Sequence, residues 1–207
     1  MTGTYVTVEG IGGSGKTTAM TLLAEWLLGQ GIDIVLAKEP AGTEFGRAIR
    51  SLVIGQEGLG PLTEAFLFEA DRSQNFATLV LPSLNEGKLV LSDRGPDGTM
   101  VHQGVLGGVS PPLIQAMTEA STRGRKPDLT ILIDVPAEVA YERTIGRPDK
   151  DKFDERGLET FQRLRAAYLQ LAAAEPERIR IVNGSRAAEE VQTEMRALVA
   201  LAAGLES

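Results

Sequence analysis

Short runs of β-branched and aliphatic residues recur along the chain, with stretches of helical spacing between them. Tyr5 to Val8 reads as a buried strand. Lys16 to Leu28 sets Met20, Leu23 and Leu27 on one helical face and stops at Gly29 and Gly31. Ile32 to Ala37 predicts a second strand, followed by helices over Thr43 to Val53 and Leu62 to Leu84. Leu89 to Leu91 predicts a third strand, and helical segments follow near Thr99 and over Pro112 to Ser121. Leu129 to Asp134 is a fourth strand, introduced by Pro127. Ala137 to Thr144 and Leu158 to Ala174 are helical, Ile179 to Val182 is a fifth strand, and Ala187 to Leu201 a last helix. Strands that alternate with helices form a parallel sheet covered on both faces. The expectation is a three-layer α/β/α fold with a five-stranded parallel sheet, in one domain over 1–207. The stretch 146–157 is polar and charged, which suits either a plain surface loop or a mobile lid.

Composition narrows the class. The net charge of −7 disfavours a nucleic-acid polymer as partner. The absence of cysteine excludes disulfides, zinc–thiolate sites and cysteine nucleophiles, and suits a reducing compartment. Met1-Thr2-Gly3-Thr4-Tyr5 lacks the basic flank and apolar run of a signal peptide, and no stretch approaches the ~20 apolar residues of a membrane span. A cytoplasmic protein without a membrane partner is expected.

The strongest chemical signal is Gly10-Ile11-Gly12-Gly13-Ser14-Gly15-Lys16-Thr17, which fits G-x-x-x-x-G-K-[ST] between a predicted strand and a predicted helix. Glycines let successive backbone N–H groups turn into one concavity, and the helix N-terminus adds positive potential. Lys16 would reach the β- and γ-phosphates of a nucleoside triphosphate, and the Thr17 hydroxyl would ligate Mg²⁺. The third strand ends in Asp93-Arg94. A carboxylate at the carboxyl end of a parallel strand faces the ligand crevice, so Asp93 is the second candidate for the Mg²⁺ shell. Arg94 can set a planar charged fork on a phosphate.

With these motifs stand others in a specific order. They are Lys38-Glu39-Pro40-Ala41-Gly42-Thr43 with Arg47 and Arg50, Leu67-Phe68-Glu69-Ala70-Asp71-Arg72-Ser73-Gln74, Gln103-Gly104 after Ser92-Asp93-Arg94, Pro127-Asp128-Leu129-Thr130, and Ala167-Tyr168-Leu169-Gln170-Leu171-Ala172. In order and spacing, over nearly its whole length, the chain resembles the bacterial thymidylate kinases, P-loop kinases of nucleoside monophosphates. The resemblance implies transfer of the γ-phosphoryl of ATP to dTMP with Mg²⁺, and a homodimer. It implies that Gly10 to Thr18, including Thr18 itself, hold ATP. Phe68 would stack on the pyrimidine and Arg72 would bond the base edge, while Glu39, Pro40, Thr99, His102 and Gln103 would line the acceptor site. Arg50 and Arg94 would clamp the acceptor phosphate. The family keeps a transition-state cation in either the P-loop or the lid. Here the variable P-loop positions are not basic, and 146–157 holds Arg147, Lys150, Lys152 and Arg156. Lys152 falls where the family has arginine, so Arg147 or Arg143 shares the candidacy.

Three departures from the family pattern fall around the acceptor sugar. Gly12 replaces an acidic residue, Gly95 an aromatic, and His102 a tyrosine. They leave open another or modified pyrimidine nucleotide as acceptor. A regulatory P-loop ATPase is the reading from another class. It is opposed by the lack of an Asn-Lys-x-Asp guanine reader and of a second lysine in the P-loop turn.

Overall fold

The structure, a computed structural model, describes residues 3–148, 152–153 and 156–205. Met1, Thr2 and Lys150, which enter the sequence reading, lie outside them. Five parallel strands, β1 (Tyr5–Glu9), β2 (Ile34–Lys38), β3 (Leu89–Asp93), β4 (Leu129–Asp134) and β5 (Ile179–Asn183), lie in the order β2-β3-β1-β4-β5. The expected parallel sheet is present, and β1 is its central strand. Val6 pairs with Leu91 on one side and Leu129 on the other, so all of β1 is buried.

Alternation along β1 separates two environments. Val6 and Val8 join a core with Leu23 and Leu27 of α1 (Lys16–Gly29). Tyr5, Thr7 and Glu9 face the opposite side, as the period of two along a strand requires. There Tyr5 packs edge-on against Phe76, with ring centroids 5.5 Å apart. Thr7 and Glu9 are fully buried polar groups on that face, placed under the elements that form the site.

Those elements follow in chain order. α2 (Glu44–Gly55) is capped by Thr43, whose hydroxyl accepts from the Gly46 N–H. α3 (Pro61–Asn75) runs on through a π-helical turn, Phe76–Val80, into α4 (Leu81–Asn85), so the predicted long helix is continuous but locally widened. A short α5 (Pro96–Thr99) opens directly into a second π-helical stretch, Met100–Leu106. Such wide turns are uncommon and collect at functional sites, and this one carries His102 and Gln103. α6 (Pro111–Thr122) packs on α3. α7 (Ala137–Ile145) and α8 (Leu158–Ala174) pack on each other against Leu132 and Ile179, and α9 (Ala188–Ala203) covers the other face beside α1.

Candidate active site

The turn between β1 and α1 is shaped by glycine. Gly13 has φ +74°, and a Cβ there would lie 2.2 Å from the Ala140 carbonyl oxygen. Only glycine lets the loop pass this close to α7. Lys16 opens α1 and is buried. Its Nζ donates to the carbonyl oxygens of Gly10 at 2.8 Å and Ile11 at 2.9 Å, so the ammonium is held across the loop. Burial lowers the Lys16 pKa to about 7; Arg94 and Arg147 push the same way, against Asp93 and Glu9. A cation under that pressure gains much from an incoming anion.

In front of the loop lies a cavity of ≈ 280 Å³. Gly12, Gly13, Gly15, Lys16, Thr17 and Thr18 form one wall. Glu39, Pro40 and Arg50 come from the β2–α2 side, Phe68 and Arg72 from α3, Asp93 from the end of β3, and Arg94, Thr99, His102 and Gln103 from the segment after it. Gly10, Ile11 and Ser14 are buried beneath the loop rather than lining the cavity. Residues far apart in the sequence are thus brought to one concavity at the carboxyl ends of β1 and β3, where parallel sheets bind ligands.

Arg72 organises the side of the cavity away from the P-loop. Its Nε donates to Glu39 at 2.7 Å, Nη1 to Glu69, and Nη2 to the Gly95 carbonyl at 3.1 Å and the Thr99 hydroxyl at 3.0 Å. A guanidinium has five N–H donors. These bonds engage four, which leaves one Nη1 donor without a protein acceptor among the described residues. Burial raises Glu39 to about 7 although Arg72 opposes it, with Asp71 and Glu69 adding negative charge nearby. Burial likewise raises Asp71 to about 6. Glu39 and Glu69, bonded to it directly, raise the Arg72 pKa against its burial.

Glu9 was not singled out from the sequence. Its carboxylate is fully buried and accepts from the N–H groups of Gly95 (2.8 Å) and Gly98 (3.2 Å) and from the Tyr168 hydroxyl (2.8 Å). Arg94 Nη1 reaches Glu9 at 3.4 Å and the Tyr168 hydroxyl at 3.2 Å. Arg94 itself sits at φ +71°, a conformation that costs about 1–3 kcal/mol in a non-glycine residue and survives only where the surroundings impose it. Glu9 and Tyr168 supply that imposition. The available signal was a carboxylate in a doubly paired strand directly before the loop, which must be partnered to be buried. Glu9→Gln is expected to lower kcat/KM for the acceptor about tenfold, the scale of a hydrogen bond to a charged group. Gln keeps an oxygen for the Gly95 and Gly98 N–H groups, so the variant should remain folded by circular dichroism. Unchanged steady-state kinetics would remove the residue from the account.

The three departures all line the cavity. Gly95 has a packing reason: a Cβ there would lie 2.7 Å from the Thr7 methyl carbon. Thr7 is fixed by its bond to Thr130, which also bonds Asp97, itself held by both Nη atoms of Arg178. His102 meets Tyr168 edge-on at 6.3 Å. Burial, then Arg94, Arg156 and Lys16, hold its pKa well below the usual histidine value, so the ring is neutral.

The basic residues around 146–157 separate by position. Arg147 lines the cavity and lies near enough to lower the Lys16 pKa. Arg143 Nη1 reaches the Gly13 carbonyl at 3.4 Å. Lys152 does not line the cavity; its Nζ pairs with Glu64 at 3.0 Å. Thr17 brings a hydroxyl and Asp93 a carboxylate to the same cavity, Asp93 with Lys38 beside it at 3.3 Å.

A P-loop between central strand and helix, opening on a cavity that an aromatic, arginines and a strand-end carboxylate also line, marks a P-loop phosphotransferase. A sequence profile of the thymidylate kinase family matches residues 8–195. The chain belongs to the thymidylate kinase family. Among its relatives, the thymidylate kinase of Symbiobacterium thermophilum is 38% identical over 197 residues, covering 94% of this chain and 92% of that protein. That of Desulfosudis oleivorans is 39% identical over 200 residues, covering 92% and 94%. The crystal structure of thymidylate kinase from Ehrlichia chaffeensis superposes with a TM-score of 0.78 at 29% identity, over 96% of this chain and 99% of that one.

Proposed function

We propose that this chain transfers the γ-phosphoryl of ATP to dTMP, with the residues above in the roles that follow. The observation that supports it most is that the P-loop lysine and the Phe68–Arg72 surface face one cavity of ≈ 280 Å³. Gly10 to Thr18 hold the triphosphate of ATP, with Lys16 on its outer phosphates. Thr17 and Asp93 would hold Mg²⁺, which accepts one or two protein ligands together with phosphate oxygens and waters; when bound, it neutralises charge on the phosphates. Phe68 stacks on the pyrimidine, and the remaining Arg72 donor and Gln103 meet its edge. Glu39, Pro40, Thr99 and His102 complete the acceptor wall. Arg50 and Arg94 clamp the acceptor phosphate, whose oxygen is already anionic and needs no general base. Residues 146–157 act as a lid that brings Arg147 over the transferring group, with Lys152 as its anchor on Glu64. Water is thereby kept from the γ-phosphoryl.

No helix among the described residues is long and apolar enough to cross a membrane, and the enzyme is proposed to act in the cytoplasm. A homodimer is proposed through the outer faces of α2 and α3, where Phe45, Leu52, Leu62 and Phe66 are exposed apolar side chains.

The test is an ADP-release assay with ATP and Mg²⁺, offering dTMP, dUMP, UMP, CMP and dCMP in turn. Turnover that requires an acceptor and is highest on dTMP is expected. ATP hydrolysis indifferent to any acceptor would overturn the transferase reading. A preference for UMP would relocate the specificity to the rebuilt sugar side around Gly12 and His102.

A further inference from the structure

The stretch 146–157 reads as polar in the sequence, yet its one aromatic, Phe153, lines the same cavity as Phe68. The two rings lie 6.3 Å apart between centroids with planes at 46°, a wedge rather than a stack. Two cations fix the Phe153 ring. Lys152 Nζ is 5.2 Å and the Arg156 guanidinium 4.8 Å from its centre, within the range of cation–π attraction. Lys152 continues to one oxygen of Glu64, and the other oxygen of Glu64 accepts from Gln103 Nε2 at 3.2 Å. Lys152 and Phe153 are therefore docked on the side of the cavity assigned to the acceptor. The contacts of Phe153 with Phe68 and of Lys152 with Glu64 fall on a residue assigned to base recognition or one bond away from it.

We propose that Phe153 is an acceptor-binding residue, which forms with Phe68 a two-walled aromatic slot for the pyrimidine base. The proposal rests on the reading of Phe68 as the base platform. Its consequence is that one side chain reads the base and carries two basic neighbours with it. Lys152 and Arg156 both rest on the Phe153 ring, so a base that shifts the ring shifts these cations with it.

Phe153 is half-buried and belongs to none of the three hydrophobic clusters, so its truncation leaves the core intact. The experiment is calorimetric binding of dTMP to the full chain without ATP, and of ATP separately. It uses the parent, Phe153→Ala, Phe153→Trp and Phe68→Ala. Phe153→Ala should weaken dTMP about tenfold, within the range of one base–aromatic contact, and leave ATP binding within about twofold. Phe153→Trp should keep dTMP affinity. Unchanged dTMP binding in Phe153→Ala, with Phe68→Ala weakened, overturns the Phe153 assignment alone. Unchanged binding in both overturns the Phe68 platform and the slot together. Equal loss of ATP and dTMP binding in Phe153→Ala assigns the residue to general ordering of the segment and also overturns the proposal.

Discussion

Lys16→Met should abolish phosphoryl transfer while leaving a folded protein. A fall in kcat of about 10³-fold or more is expected, the scale on which single charges act on a transferring phosphoryl group. The Lys16 ammonium is the buried cation at the mouth of the P-loop, held by the Gly10 and Ile11 carbonyls. Its stability effect has the opposite sign. A lysine whose folded pKa is lowered to about 7 binds fewer protons in the folded than in the unfolded protein between that value and its ordinary one. Stability therefore rises with pH across this window, and below it the buried charge costs stability in full. Lys16→Met removes that cost, so its thermal unfolding midpoint at pH 6 should equal or exceed the parent's. Kinetics by ADP release and melting by circular dichroism check both arms. A variant that loses activity only because it unfolds would contradict them.

Arg72→Ala should be the most destabilising single change in the site, by about 3–5 kcal/mol, because it leaves buried carboxylates without their counter-charge. Glu39 and Glu69 both bond Arg72 directly, and Glu69 also accepts from Thr118 and Ser121 of α6. The loss thus reaches the packing of α3 on α6. Its pH dependence follows from the raised carboxylates. In the parent, Glu39 at about 7 binds protons in the folded state that the unfolded chain has released. The stability it contributes is full below the ordinary carboxylate value and is lost as pH rises through 7. Without Arg72 the folded pKa moves higher still, so the variant should be least stable at alkaline pH and partly recover toward pH 5. Urea unfolding at pH 5, 7 and 8.5 measures this. A destabilisation independent of pH would show that packing, not charge, is what Arg72 contributes. Arg72→Lys keeps the charge without the fork, and should recover part of the stability but not the simultaneous contacts to Glu39, Glu69, Gly95 and Thr99.

The sequence reading recovered the frame because local signals are dense there. All five strands are short apolar runs bounded by Gly, Pro or polar residues, and Leu129–Asp134 and Leu158–Ala174 match the predicted bounds in full. The P-loop was legible for a similar reason: its chemistry needs specific residues at fixed local spacing. The π-helical stretches at Phe76–Val80 and Met100–Leu106 carried no such signal. A wide turn changes which side chains align without changing the apolar period enough to read.

Linear order by itself determined the parallel α/β/α architecture, the phosphate loop and the family, since each rests on periodicity or on motifs within a few residues. Tertiary structure alone decided which groups are partners. Glu9 lay between the predicted strand and the phosphate loop with no role of its own until the sheet placed it under Arg94 and Tyr168, 159 positions away from the latter. Phe153 looked like part of a charged loop until the fold laid it against Phe68. Lys152 and Arg147 were both candidate cations in the sequence, and only the fold gave one to Glu64 and the other to the cavity. The physical reason is common to all three. Burial, charge pairing and ring contact depend on distances across the sheet and between helices, and no short-range pattern encodes them.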